Sequence, residues 1–515
     1  MTTPSSPEGL LVSGERSIGR TQLTARAARA ARGLASLGVR AGDAVALLMR
    51  NDPVFLEASL AAERLGAYTV PLNWHFAPAE LAYVLDDCEA KVLVAHADLL
   101  PLLRASLASR PQVAVLVVDT PEEVQAAYPG SAAHAKGPAD LANWEAWLPA
   151  FEPWDGPSVA APESVIYTSG TTGRPKGVRR SPATPEQRQR IERMRERVYG
   201  LRPGIRLIVP APLYHAAPNV FAMRGLQVAE RLVLMPRFEA EELLRLIEKH
   251  RATTLVMVPT MFVRLLRLPP QVRQRYDVSS LEGVYHAAAP CPVDVKRQMI
   301  DWWGPVINEW YGTTESSVVT WCDSVDWLRH PGTVGRAIDG ATIEIVDEQG
   351  RCVPAGQPGE VYVGLEFYPD FTYHKRDEDR RKIGRGRLVS GGDVGYLDSD
   401  GYLHLCDRKR DMIISGGVNI YPSEIEAVLL GIRAVLDCAV IGVPDAEYGE
   451  AVLALVVQDG TTSEAQLREA LSQKLARYKA PRRIEFRETL PRDDAGKLLK
   501  RLLREPYWQR AERRI

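Results

Sequence analysis

The stretch "YTSGTTGRPKGV", residues 167–178, decides how the rest of the chain is read. Gly170, Gly173 and Gly177 permit backbone angles that other residues avoid. Thr168, Ser169, Thr171 and Thr172 offer hydroxyls, and successive exposed N–H groups make a concavity that attracts anions. Lys176 adds a positive charge. The apolar residues of "SVIYTS" just before it read as a strand that delivers the loop. The guest that matches this chemistry is a polyphosphate. A P-loop of the form G-x-x-x-x-G-K-[ST] is a poor match, because Gly177 follows the lysine and no helix-opening Ser or Thr is in place.

The chain has 515 residues, too many for one compact core, so two or more domains are expected. Hydrophobic residues make up 45% and charged residues 25%, ordinary values for a globular protein. A formal net charge of -1 provides no global field to recruit nucleic acid or an anionic membrane. The six cysteines are scattered and form no C-x-x-C pair, which argues against a disulfide framework or a zinc site. "MTTPSSPEGL" lacks the order of a signal peptide and no apolar run nears 18 residues, so a cytoplasmic protein without integral membrane contact is expected.

Apolar runs alternate with helical patterns through the first 310 residues or so. "TQLTARAARAARGLASLG" and "PVFLEASLAAERLG" read as helices; "AVALLM", "YTVPL", "RLIVPAP", "RLVLMP", "TLVMVP" and "GVYHAA" read as strands. That alternation predicts α/β layers with largely parallel sheets. A looser region, roughly 121 to 160, is rich in Ala, Pro and Gly. After about residue 335 short strands in hairpins take over, as in "ATIEIVDEQG" and "GEVYVG". From about residue 410 a mixed pattern predicts a separate α+β unit.

With these residues in view, "YTSGTTGRPKGV" resembles the signature of the adenylate-forming superfamily. That group includes acyl-CoA synthetases, aryl-CoA ligases, carrier-loading adenylation domains and firefly luciferase. Further motifs follow in the expected order: "APLYHAAP" at 211, "YGTTE" at 311, "GGDVGYLDSDGYLHLCDRKRDMIISGGVNIYPSEIE" at 391 and "PRDDAGK" at 491. The resemblance covers almost the whole chain. It implies an α/β fold with a large N-terminal domain, residues 1–409, of layered, largely parallel sheets plus a small β-rich subdomain. A small, mobile α+β C-terminal lid, residues 410–515, completes it.

The implied chemistry is activation of a carboxylic acid by ATP and Mg²⁺, then transfer of the acyl group to a thiol. By resemblance, Thr168, Ser169, Gly170, Thr171, Thr172 and Lys176 hold the β- and γ-phosphates. Glu315 helps bind Mg²⁺, Thr314 lies near the α-phosphate, and Tyr311 packs on adenine. Ala289 and Glu309 fall near the adenine amino group. Asp393 and Arg408 match the pair that binds the ribose hydroxyls. Gly391 stands where relatives usually have Thr or Ser. Lys497 resembles the lysine that bridges the substrate carboxylate and the α-phosphate. Arg410 sits at the hinge position, and Gly416 and Gly417 form the turn beside the expected pantetheine channel.

His215 matches a gating or positioning residue between the acyl pocket and the carboxylate. Phe221, Met223, Ala287, Ala288 and Trp310 are the pocket candidates. No Asp follows "LYHAAP" to pair an amino group, and no carrier-attachment segment follows Lys497, so coenzyme A is the expected acceptor. The expected acid is fatty, of medium or long chain, or aromatic. Two alternatives stay open at this point: a free-standing adenylation enzyme that loads a carrier protein, and a nucleotide-binding regulator without turnover. Self-association as a homodimer is a further possibility.

Overall fold

In the computed structural model the described residues are 9–157, 159–168, 175–445, 447–492, 496 and 498–509. The chain divides into two compact units. One takes Met1–Met257, Pro269–Tyr285 and Phe367–Lys382; the other takes Val258–Leu268, His286–Glu366 and Ile383–Ile515.

The first unit is α/β. Its five-stranded sheet orders Tyr68–Pro71, Ala44–Leu48, Ala90–His96, Ala114–Val118 and Ala142–Asn143, every pair parallel. The strand Ala44–Leu48 is buried along its whole length, which is why "AVALLM" is a continuous apolar run rather than an alternating one. The helix Pro53–Arg64 follows it, with Asp52 accepting a hydrogen bond from the Val54 N–H and Pro53 in the first turn. A second group of strands runs Thr254–Met257, Arg206–Val209, Arg231–Leu234 and Leu10–Ser13, parallel, with Arg16–Gly19 antiparallel at the edge. The region 121–160 is broken into short turns of helix, in keeping with its Pro and Gly content.

A small antiparallel sheet of Phe371–Tyr373, Lys176–Arg180 and Ile166–Thr168 also belongs to this unit. Thr168 stands opposite Lys176, so the glycine-rich loop joins two paired strands. Gly177 faces the Tyr167 ring, where a Cβ would come within 2.7 Å of it. Only glycine lets the two strands close there.

The second unit is largely antiparallel in its sheets. Ile307–Thr313 pairs with Ser317–Cys322. Ala341–Val346, Gly359–Leu365, Leu388–Leu397 and Gly384–Arg385 form another sheet, with Leu403–Arg408 alongside Leu388–Leu397. Past residue 410, strands Val418–Ile420, Ile413–Ser415, Gly449–Gln458 and Val435–Asp445 are neighbours in that order, and Arg483–Phe486 pairs with Gly449–Gln458 in parallel. The helices Pro422–Leu430 and Glu464–Lys474 bury Ile425, Leu429, Leu467 and Leu471 in a core with Val440, Val452 and Val456. Each such side chain contributes roughly 1.5–3 kcal/mol when taken from water. No helix among the described residues is long and apolar enough to cross a membrane.

Candidate active site

In the first unit, Thr168 is half-buried and Lys176 buried at the mouth of the hairpin. Ser169, Gly170, Thr171 and Thr172 lie outside the described residues. The Lys176 ammonium is 3.0 Å from Asp379 Oδ2 and 5.2 Å from the centre of the Tyr373 ring. The expected phosphate lysine therefore has an internal anion as its partner.

His215 opens the helix Ala216–Val228, its extended backbone at the N-cap. Its carbonyl accepts from the Asn219 N–H at 3.1 Å, and its ring lies 4.4 Å from that of Tyr214. Tyr214 in turn stands edge-on to Trp74 at 4.5 Å. Two buried asparagines brace this loop. Asn51 Nδ2 donates to the carbonyls of Ala211 and Met235, and its Oδ1 accepts from the Leu213 N–H, all at 2.9 Å. Asn219 Nδ2 donates to the Leu213 carbonyl at 3.1 Å. Phe221 is fully enclosed, its ring 5.2 Å from Tyr199 and 6.1 Å from Tyr285; Met223 is buried on the same helix.

In the second unit, Ala287 is buried, Ala288 exposed and Ala289 half-buried. Ala288 has φ of 72°, a left-handed backbone that costs a residue with a Cβ roughly 1–2 kcal/mol. Trp310 is half-buried and opposite Trp321 across the strand pair. Thr314 and Glu315 occupy the turn between Ile307–Thr313 and Ser317–Cys322, both half-buried. That turn is held by reciprocal bonds: Ser316 N–H to Thr313 Oγ1 and Thr313 N–H to Ser316 Oγ, each 3.0 Å. A Cβ on Gly312 would meet the Ser317 carbonyl at 2.0 Å, so the glycine of "YGTTE" is a condition of closing the turn.

The Tyr311 hydroxyl donates to Asp393 Oδ2 at 2.7 Å. Burial, followed by the Asp393 charge, pushes the Tyr311 phenol well above its usual range, so it stays a donor. Asp393 Oδ1 faces Arg408 Nε at 3.3 Å, and the two residues are directly opposite in the strand pair. Each carboxylate oxygen keeps lone-pair capacity for another donor. An aromatic ring, a carboxylate and a guanidinium thus converge on one point.

Tyr311 lies within the first of two family matches along the chain, and Asp393 and Arg408 lie between them. Residues 7–366 match the AMP-binding enzyme family and residues 424–497 match the AMP-binding enzyme C-terminal domain. The chain belongs to the AMP-binding enzyme family. The long-chain-fatty-acid–CoA ligase FadD13 of Mycobacterium tuberculosis is 33% identical over 488 residues, 94% of this chain and 92% of that protein. The feruloyl-CoA synthase of an Amycolatopsis species is 33% identical over 497 residues, 95% of this chain and 93% of that one. The anthranilate CoA ligase AuaEII, solved with anthranoyl-AMP, superposes with a TM-score of 0.85 at 27% identity, covering 98% of this chain and 94% of that one.

Within this AMP-binding enzyme, Glu309 belongs to a buried ion pair. Its carboxylate is buried and sits 2.6 Å from the ammonium of Lys296, which is itself fully buried. Both contacts of the carboxylate, to Lys296 and to His286, are made through Oε2. Burial raises the Glu309 carboxyl and the Lys296 charge opposes the rise. His286 Nε2 lies 3.6 Å away, and neither of its ring nitrogens has a hydrogen-bond partner among the described residues; burial holds His286 neutral.

The departure at Gly391 has a local cause. A Cβ there would come within 2.8 Å of the Thr313 methyl. The hydroxyl stands one residue earlier instead: Ser390 Oγ donates to Glu360 Oε1 at 2.7 Å and accepts from the Gly392 N–H at 3.0 Å.

Arg410 is exposed, and its carbonyl accepts from Arg504 Nη1 at 2.8 Å. Gly416 and Gly417 form the two-residue turn of the hairpin Ile413–Ser415 and Val418–Ile420, with φ of 58° and 80°. Two successive positive φ angles are what such a turn requires. Lys497 lies outside the described residues, as do Asp493 and Asp494. Flanking it, Arg492 makes a two-point ion pair with Asp437, at 2.8 and 2.7 Å, and Nη1 donates to the Gly496 carbonyl at 2.6 Å.

Asp379, Asn51, Asn219 and Lys296 escaped the reading of the sequence. Asp379 lies in "RDEDRRK", a charge run that reads as a solvated face. Lys296 carried a usable signal: it falls in the buried stripe Val295, Lys296, Met299, Ile300 and Trp303 of its helix, so a buried acid had to be near it.

Proposed function

We propose that this protein is an ATP-dependent, AMP-forming carboxylic acid–CoA ligase. In the first step a substrate carboxylate oxygen attacks the α-phosphorus of ATP, and the bond to pyrophosphate breaks. In the second, the sulfur of coenzyme A attacks the acyl carbon, the proton leaves the thiol, and AMP departs with the bonding pair. Two anions must meet in the first step, so catalysis is chiefly alignment and charge neutralisation.

The observation that carries this reading is the convergence of Tyr311, Asp393 and Arg408, a 2.7 Å hydrogen bond and a 3.3 Å ion pair suited to adenosine. Lys176 with the loop from Thr168 binds the terminal phosphates. Thr314 aligns the α-phosphate. No cluster of three or more His, Cys, Asp or Glu side chains suited to a metal occurs among the described residues. Glu315 would therefore hold Mg²⁺ together with phosphate oxygens, the usual magnesium arrangement, and the ion would supply charge neutralisation.

Residues 410–515 act as the lid, turning about Arg410. The lid brings Lys497 to the carboxylate for the first step and the Gly416–Gly417 turn to the pantetheine arm for the second. His215, braced through Asn51 and Asn219, positions the carboxylate end of the acid. The acid is fatty or aromatic.

The test is pyrophosphate release by the purified chain with ATP, Mg²⁺ and a panel of fatty acids, benzoates and cinnamates, with and without coenzyme A. Acid-dependent pyrophosphate, with AMP and acyl-CoA in equal amounts, is the expected result. Absence of pyrophosphate with every acid would refute the assignment.

A further inference from the structure

Lys176 is the first residue of the strand Lys176–Arg180, and its side chain is almost fully withdrawn from water. A buried ammonium needs an anion nearby to stay charged. Asp379 supplies it at 3.0 Å, from the short helix Asp377–Lys382. The Tyr373 ring face, 5.2 Å from the ammonium, adds an attractive wall.

The segment leading to Asp379 is held in place by contacts that do not involve the Lys176 side chain. The strand Phe371–Tyr373 pairs with Lys176–Arg180, Tyr373 opposite Val178. The His374 N–H donates to the Gly177 carbonyl at 3.3 Å. Arg376 hydrogen-bonds the Tyr83 phenol, which donates to Asp87 at 2.9 Å, and Lys375 pairs with Glu89 at 2.8 Å. Lys382 is a second cation near Asp379 among the described residues, at 3.5 Å. The segment that carries Asp379 is thus anchored without the Lys176 side chain.

We propose that Asp379 is a positioning residue that holds the Lys176 ammonium in the nucleotide-free protein and yields it to the triphosphate, so that Asp379 sets the affinity for ATP. The proposal rests on the reading of residues 168–176 as the phosphate loop. Lys176 is kept buried and paired with an anion before ATP arrives. On binding, one anion replaces another around the same ammonium. The gain is the difference between the two pairings, not the whole of the second. The carboxylate left behind also repels the incoming phosphates.

The unaltered protein offers a direct test. A carbodiimide activates the Asp379 carboxyl, and attack by the Lys176 amine forms an amide and releases the urea. The joined peptide is detected by mass spectrometry. Cross-linking is expected without nucleotide and is expected to be lost at saturating ATP. Persistence of the cross-link at saturating ATP overturns the proposal.

ATP binding by calorimetry gives a second test on the full-length chain. Asp379→Asn is expected to bind ATP roughly 5–10-fold tighter, with KM for ATP lowered and kcat not raised, and Asp379→Glu to return towards the original affinity. Unchanged or weaker binding by Asp379→Asn, with Lys176→Ala impaired, overturns the proposal. If Lys176→Ala leaves ATP binding unchanged, the phosphate-loop reading is what fails.

Discussion

The Tyr311 hydroxyl and Asp393 Oδ2 are 2.7 Å apart, so the ring expected against adenine and the carboxylate expected at ribose form one hydrogen-bonded unit. The Arg408 guanidinium closes it from the other side at 3.3 Å. Tyr311→Phe keeps the ring and removes the donor. A lost hydrogen bond to a charged group is worth about 1.5–3 kcal/mol, so KM for ATP should rise roughly 10-fold or more. Kinetics with ATP varied at saturating acid check this, and an unchanged KM would show that the bond does not orient Asp393.

Gly391→Thr restores the residue type usual in relatives but drives a Cβ to within 2.8 Å of the Thr313 methyl. Overpacking of this kind costs about 1–3 kcal/mol. Reduced stability and turnover are expected, with recovery in the Gly391→Thr, Thr313→Ser double variant. Thermal melts and turnover of both proteins decide it.

Glu309→Gln leaves the fully buried Lys296 without its counter-charge. Breaking one side of a buried pair costs about 3–5 kcal/mol. Denaturant unfolding should show that loss, while the double replacement Lys296→Met, Glu309→Leu recovers most of it.

Burial raises the Glu63 carboxyl to about 7, Arg195 opposing the rise and Glu163 adding to it. The folded state therefore binds this proton more tightly than the unfolded chain, whose carboxyl titrates near 4.5. Its contribution to stability is greatest below about pH 4.5 and is lost as pH climbs to about 7. Glu63→Gln should melt about 2 °C or more above the original protein at pH 8, with the gap closing towards pH 5. Melting curves across that range test the sign.

Lys497→Ala should slow acyl-adenylate formation by roughly 10²–10³, the scale of removing one preorganised charge donor. Thioester formation from supplied acyl-adenylate should persist. Equal loss of both half-reactions would remove the proposed role.

Much of the fold was legible because its periodicities are local. "AVALLM" is a buried parallel strand and "PVFLEASLAAERLG" a helix with Asp52 and Pro53 at its start, each specified by a few adjacent residues. The turn at Gly416–Gly417 was legible for the same reason, since two successive positive φ angles favour glycine.

The sequence by itself determined the family, the order of its motifs and the residue types at Tyr311, Asp393 and Arg408. Tertiary structure alone decided that Lys176 faces Asp379, that Glu309 pairs with Lys296, and that Thr313 accounts for the glycine at 391. The physical reason is distance along the chain. Charge pairing and steric exclusion act through space over a few ångströms, and the partners here are separated by 13 to 203 residues. No local pattern encodes which of the chain's 65 acidic side chains a buried lysine will meet.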